Sequence, residues 1–225
     1  MRPAVGPDGL DASRAPILRK AMDSPYQVRS FEGAIIMNTL EGKVTLITGV
    51  KGGLGTFITE AFLAAGAKVV GVSRSIQASD FPHPGTAAMP AELSSGEAAR
   101  KVADDIVGRL GRIDILVHRR QGGGRVLAVA SRQAVEPGAM VGAYSASKAA
   151  LVALIRTIAL ENTDRGISAN TVLPGTMDTP SNRAADPKAD PLQWVQPAQV
   201  AALLVHLASD AGAQVTGAAI PICSR

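Results

Sequence analysis

Three side chains stand at a spacing that suits carbonyl chemistry. Tyr144 and Lys148 are four residues apart, and Ser131 precedes the tyrosine by thirteen. Residues four apart share one face of a helix, so a phenol and an ammonium can point into one site. A free phenol ionises near pH ~10, too high for acid–base work near neutrality, and an adjacent ammonium favours the phenolate. A serine brought in from a preceding strand could hydrogen-bond a substrate oxygen. Many helices carry a Tyr-x-x-x-Lys pair by accident, facing solvent with no chemical role. A catalytic role therefore needs a nucleotide-binding half upstream.

The sequence supplies one. Val44–Thr48 is a short apolar, β-branched run, as expected of a buried strand. GVKGGLG follows, and then Thr56–Ala65 with apolar residues at Phe57, Ile58, Ala61, Phe62 and Ala65, an amphipathic helix stopped by Gly66. Strand, glycine loop and helix form the setting of a dinucleotide site. Glycines let the backbone approach a pyrophosphate, and the helix start offers free N–H groups to it. The plainer alternative is a flexible glycine turn.

Lys68–Val72 reads as the second strand. An acidic residue at its end would bind ribose hydroxyls and favour NAD. Ser73 and Arg74 stand there instead, and Lys51 sits in the glycine loop. Arginine suits a 2′-phosphate because its planar fork makes paired hydrogen bonds, so NADP(H) is preferred over NAD(H). The alternative is a solvated charge.

The spacing Thr48, Gly49, Gly53, Gly55, together with Ser131, Tyr144 and Lys148, resembles the short-chain dehydrogenase/reductase family. The resemblance covers about residues 37–222. It implies a Rossmann-type α/β fold, a doubly wound parallel sheet, and hydride transfer between NAD(P)(H) and a small carbonyl or alcohol substrate. It also implies cofactor contacts. Gly49, Gly53, Leu54 and Gly55 would meet the pyrophosphate, and Glu92 and Leu93 the adenine, although an Asp is more usual where Glu92 stands. Lys148 would hold the nicotinamide ribose beside Tyr144. Pro174, Gly175, Met177 and Thr179, in LPGTMDTP, would border the nicotinamide amide. Residues 180–196, a Pro-rich polar loop, would cover the substrate, with Trp194 either stacking on a ring or anchoring the loop. LPGTMDTPSNR with Trp194 resembles the dihydropteridine reductase branch of the family, which adds a quinonoid pterin as an alternative substrate. The family also suggests a homo-dimer or homo-tetramer.

The remaining elements follow the same alternation. Ser94 and Glu97 suggest a capping box opening a helix to Leu110, with Ala99, Val102, Ile106 and Val107 inward. Ile113–Val117 and Arg125–Ala130 read as buried strands. The helix bearing Lys148 continues with an apolar stripe at Leu151, Leu154, Ile155, Ile158 and Ala159. Ile167–Leu173, a helix opened by Pro197, and Ala218–Ile222 complete the pattern. In that helix Val200, Leu203, Leu204 and Leu207 face inward.

One departure is physical as well as textual. The family carries an Asn-Asn-Ala-Gly turn after its fourth strand, then a long helix with a further active-site Asn. Here His118, Arg119, Arg120 and Gln121 stand in the turn, and GGG (122–124) leads directly into the next strand. Adjacent parallel strands normally need a crossover of a dozen or more residues. Seven residues span at most ~25 Å and cannot form a covering helix. An internal deletion, residues missing from the sequence, or a rearranged fifth strand would each account for this. The rival function is accordingly a catalytically impaired nucleotide-binding or scaffold protein.

Composition narrows the class. At 225 residues one domain is expected over 37–225, with 1–36 a mobile N-terminal extension or an arm that docks on a neighbouring subunit. That extension lacks the h-region of a secretory signal. The net charge of +4 is spread along the chain without a basic, aromatic-interleaved stripe, so nucleic acid is not expected. Cys223 is the only cysteine, which excludes an intrachain disulfide and a Cys-based metal site. His83, His118 and His206 are scattered, and no metal is expected. No apolar run of the ~18 residues a span needs is evident. A cytoplasmic protein is expected.

Overall fold

The computed structural model describes residues 39–117 and 124–223. The expected extension 1–36 and the substituted turn His118–Gln121 lie outside these. The described strands are β1 (Val44–Thr48), β2 (Lys68–Ser73), β3 (Thr86–Pro90), β4 (Ile115–Val117), β5 (Arg125–Val129), β6 (Ser168–Pro174) and β7 (Ala219–Ile222). They form one parallel sheet in the order β3-β2-β1-β4-β5-β6-β7. The helices are α1 (Gly53–Ala64), α2 (Gly96–Leu110), α3 (Gly142–Glu161), α4 (Pro180–Ala185) and α5 (Pro197–Ala208).

Successive residues of a strand point to opposite faces, and both faces are apolar because both carry helices. On one face, Ile47, Ile115, Leu127 and Val172 pack with α1 and α5, around Phe62, Val200 and Leu204. Phe62 is fully buried, worth about 1.5–3 kcal/mol relative to exposure. On the other face, Leu46, Val70 and Leu116 pack under Val102 and Ile106 of α2. Val126, Ala128 and Ala169 pack under Ile155 and Ala159 of α3.

Several expectations need correction. Thr86–Pro90, for which no strand is expected above, is an edge strand paired with β2. The cap of α2 is Ser95, whose Oγ accepts from the Ala98 N–H at 3.1 Å, not Ser94. Ala99 and Val107 of α2 and Leu154 of α3 face solvent; Val152 is buried instead. Residues 180–196 contain α4 and a short 3-10 turn at Pro191–Gln193, not an open loop. By length and composition α3 could cross a membrane, contrary to the sequence expectation, but here it lies along the sheet through Val152, Ile155 and Ala159.

β5 pairs with β4 in parallel, with Leu116 opposite Val126, so the central sheet is not rearranged. Only residues 118–124 join these strands. Leu116 and Val126 are register partners, yet Leu116 packs under α2 and Val126 under α3. Among the described residues no third helix joins the two clusters on this face.

Candidate active site

Every strand is parallel, so every strand ends at one edge of the sheet. The glycine loop follows β1, Arg74 follows β2, Glu92 follows β3, Ser131 follows β5, Gly175 follows β6 and Cys223 follows β7. In open parallel sheets ligands bind at this edge, beside the strands where the winding reverses. β1 and β4 are such a pair here.

The glycine loop is built for close approach. Gly49 has φ of +73°, the left-handed region that other residues seldom adopt, and its N–H donates to the Val72 carbonyl at 2.9 Å. A Cβ on Gly55 would lie 2.2 Å from the Gly49 carbonyl oxygen, so α1 can seat on the loop only with glycine there. The helix starts without a side-chain cap. Its opening N–H groups, those of Gly53, Leu54 and Gly55, have no acceptor within the helix, and no acidic side chain stands in its first turn. These features fit a dinucleotide pyrophosphate.

Arg74 is largely exposed, 3.8 Å from Glu92, and the Ala91 N–H donates to the Ser73 carbonyl at 3.2 Å. Ser73, Arg74, Glu92 and the exposed Leu93 are thus brought to one corner. Lys51 is engaged elsewhere: it pairs with Asp80 at 3.0 Å and donates to the Ser75 carbonyl at 3.0 Å. Asp80 accepts from the Gln77 N–H at 2.8 Å. That bond, followed by Lys51, holds its carboxyl below the usual range.

Ser131, Tyr144, Pro174, Gly175, Met177 and Trp194 line one cavity of about 510 Å³. Ser131 caps a 3-10 turn, its Oγ accepting from the Gln133 N–H at 3.2 Å. Tyr144 lies in the first turn of α3 and is about half exposed, open to a substrate. One turn on, the Lys148 Nζ lies 5.7 Å from the centre of the tyrosine ring, within cation–π range. Lys148 does not itself line the cavity.

The cover of the cavity is tied down. Met177 and Val195 form a bridge, the Asp178 N–H donating to the Val195 carbonyl and the Val195 N–H to the Thr176 carbonyl. Arg183 donates to Asp178 at 2.5 and 2.8 Å, and this bond, opposed by burial, holds the Asp178 carboxyl below its ordinary range. Thr179 caps α4, its Oγ1 accepting from the Asn182 N–H at 3.3 Å. Gly53 sits against Thr179, so the glycine loop and the segment after β6 touch. Trp194 is partly buried in the cavity wall.

Arg132, Gln133, Thr176, Asn182, Gln193 and Cys223 also line the cavity but were not anticipated. Arg132 and Gln133 could have been suspected as neighbours of Ser131. Cys223 could be inferred only from its place after the last strand. Among the described residues no group of side chains could hold a metal ion.

A glycine cradle at the sheet edge and a cavity lined by Ser131 and Tyr144, with Lys148 one turn beyond the tyrosine, suit a nucleotide-dependent oxidoreductase of the Rossmann type. A family model described as short chain dehydrogenase matches residues 43–119, and one described as Enoyl-(Acyl carrier protein) reductase matches 119–224. The chain belongs to the short-chain dehydrogenase/reductase family and is an NAD(P)-dependent oxidoreductase acting on small molecules. It is 29% identical to 3beta-hydroxysteroid dehydrogenase 1 of Eggerthella lenta, over 79% of this chain and 91% of that one. It is 28% identical to D-threitol dehydrogenase of Mycolicibacterium smegmatis, over 81% and 92%. A solved NADP complex of Pseudomonas aeruginosa RhlG superposes with a TM-score of 0.71 at 26% identity, covering 82% of this chain and 96% of that one. The steroid dehydrogenase alignment runs over 239 positions but takes in 79% of 225 residues, about 178, leaving about sixty positions without a counterpart here. The two family matches meet at residue 119, beside the shortened β4–β5 connection.

Proposed function

We propose that the chain interconverts a carbonyl and an alcohol with Ser131, Tyr144 and Lys148 as its working groups, and with NADP(H) preferred over NAD(H). The observation that carries this is the meeting of Ser131 and Tyr144 on one cavity wall, with Lys148 5.7 Å from the tyrosine ring.

In reduction, the bound nicotinamide would supply a hydride to the carbonyl carbon. Tyr144 would give its phenolic proton to the oxygen as negative charge develops there, and Ser131 would hold the same oxygen by hydrogen bond. Lys148 would favour the phenolate that remains and hold the nicotinamide ribose. In oxidation each movement reverses. Gly49, Gly53, Leu54 and Gly55 would hold the pyrophosphate, and Pro174, Gly175, Met177 and Thr179 the amide side of the nicotinamide. The NADP(H) preference rests on Arg74, which is largely exposed and faces an exposed carboxylate, Glu92, at 3.8 Å. Lys51, already paired with Asp80, is the weaker candidate.

The test is stopped-flow loss of NADPH absorbance with a panel of aldehydes, ketones and a quinonoid pterin. Turnover that disappears in Tyr144→Phe supports the assignment. Clear cofactor binding with no turnover on the panel would instead support a nucleotide-binding protein without catalysis.

A further inference from the structure

Ligand cavities are mostly apolar, with a few placed polar groups. Here the balance is reversed, for Gln133, Thr176, Asn182, Gln193 and Arg132 share the wall with Ser131 and Tyr144. Arg132 is the only residue of fixed charge among those lining the cavity. It follows Ser131 in the chain and lines the same cavity.

The setting of that guanidinium is specific. Nε pairs with the Glu136 carboxylate at 3.1 Å, four residues along and just past the 3-10 turn. Nη1 points across to Cys223 after β7, 91 residues away in sequence, and meets its Sγ at 3.6 Å. The head is therefore oriented from one side by a carboxylate and offers its other side to a thiol, a weak acceptor. Its side chain is 47% exposed, so solvent and solutes reach it. An oxyanion would replace the thiol contact with a charge-assisted pair, to which the guanidinium fork is matched.

We infer that Arg132 is a specificity-determining residue that selects a small polar carbonyl substrate carrying a carboxylate or phosphate. The inference rests on the proposed function of the same cavity. Glu136 is the internal competitor for the guanidinium and tunes its strength.

Two substrate pairs test it, dihydroxyacetone phosphate against dihydroxyacetone and acetoacetate against acetoacetamide, with NADPH and the full chain. The wild type should favour the anionic member of at least one pair. Arg132→Gln should raise KM for that anion about 10- to 100-fold, the range for losing a charge-assisted hydrogen bond, and leave the neutral member nearly unchanged. Arg132→Lys should recover part of the loss, and Glu136→Gln should lower KM for the anion. A wild type that prefers the neutral members, or an Arg132→Gln variant that affects both members alike, would overturn it. If no substrate turns over, the assigned reaction fails, and calorimetry with dihydroxyacetone phosphate and acetoacetate decides the anion site separately. Binding that is lost in Arg132→Gln supports it. No binding, or equal affinity in both proteins, overturns it.

Discussion

Gly53 and Thr179 are in contact: a Cβ on the glycine would meet the Thr179 Cβ and Cγ2 at 3.3 Å. The loop expected to take the pyrophosphate and the segment expected to border the nicotinamide are thus one wall, joined where no larger residue fits freely.

Glycine substitutions in this loop should separate packing from binding. Gly55→Ala places a methyl 2.2 Å from a backbone carbonyl that cannot move aside, and overpacking of this kind costs about 1–3 kcal/mol. Melting should fall by roughly 2–4 °C per kcal/mol for a chain of this size. Gly53→Ala meets only a threonine side chain. Calorimetric melting should move much less, while cofactor affinity falls through displacement of Thr179.

Tyr144→Phe keeps the ring over which Lys148 sits and removes the phenolic hydroxyl, the proton donor. Turnover should drop about 10²- to 10⁴-fold, the usual contribution of a positioned acid. Cofactor affinity, read by fluorescence titration of NADPH, should hold. Lys148→Met should lose both, because the same ammonium is assigned to the tyrosine and to the ribose.

Arg74→Asp should weaken NADPH binding selectively and leave NADH unchanged or tighter, since a carboxylate at this corner suits ribose hydroxyls. Equal weakening of both cofactors would remove the case for a 2′-phosphate contact.

Acid should loosen the cavity cover. Because Arg183 holds Asp178 below the ordinary carboxylate pKa of ~3.9, the pair stabilises fully above that range. Its contribution is lost as pH falls through the lowered folded value. Asp178→Asn should cost about 1 kcal/mol near neutrality, in keeping with a pair whose arginine is partly exposed. Melting curves of variant and wild type should differ at pH 7 and converge as pH falls through the lowered value of the folded carboxyl.

The sheet was legible because its strands are short β-branched runs set off by glycine, and because a fully covered parallel sheet needs no polar alternation. Val44–Thr48 matches to the residue. Helix faces were less legible. Val107 and Leu154 continue an apolar period but face solvent, because periodicity gives an apolar arc and the sheet covers only part of it. The cap fell on Ser95 rather than Ser94, since either serine suits the position and backbone geometry decides. Ser131, Tyr144 and Lys148 could be grouped from their spacing together with the glycine loop and the family resemblance. Arg132 and Cys223 could not, as only the order of strands brings residues 91 positions apart to one mouth.

The two outer strands also govern how copies of this chain can meet. In β7 the Ala218 and Ile222 carbonyls accept from β6, so by alternation Pro221 directs its peptide groups outward. In β3 the Gly85 carbonyl and the Ala91 N–H bond to β2, so Pro90 also faces outward. Each free margin therefore lacks one of the donors that a further strand would require. Growth of the described sheet from molecule to molecule is discouraged at both ends.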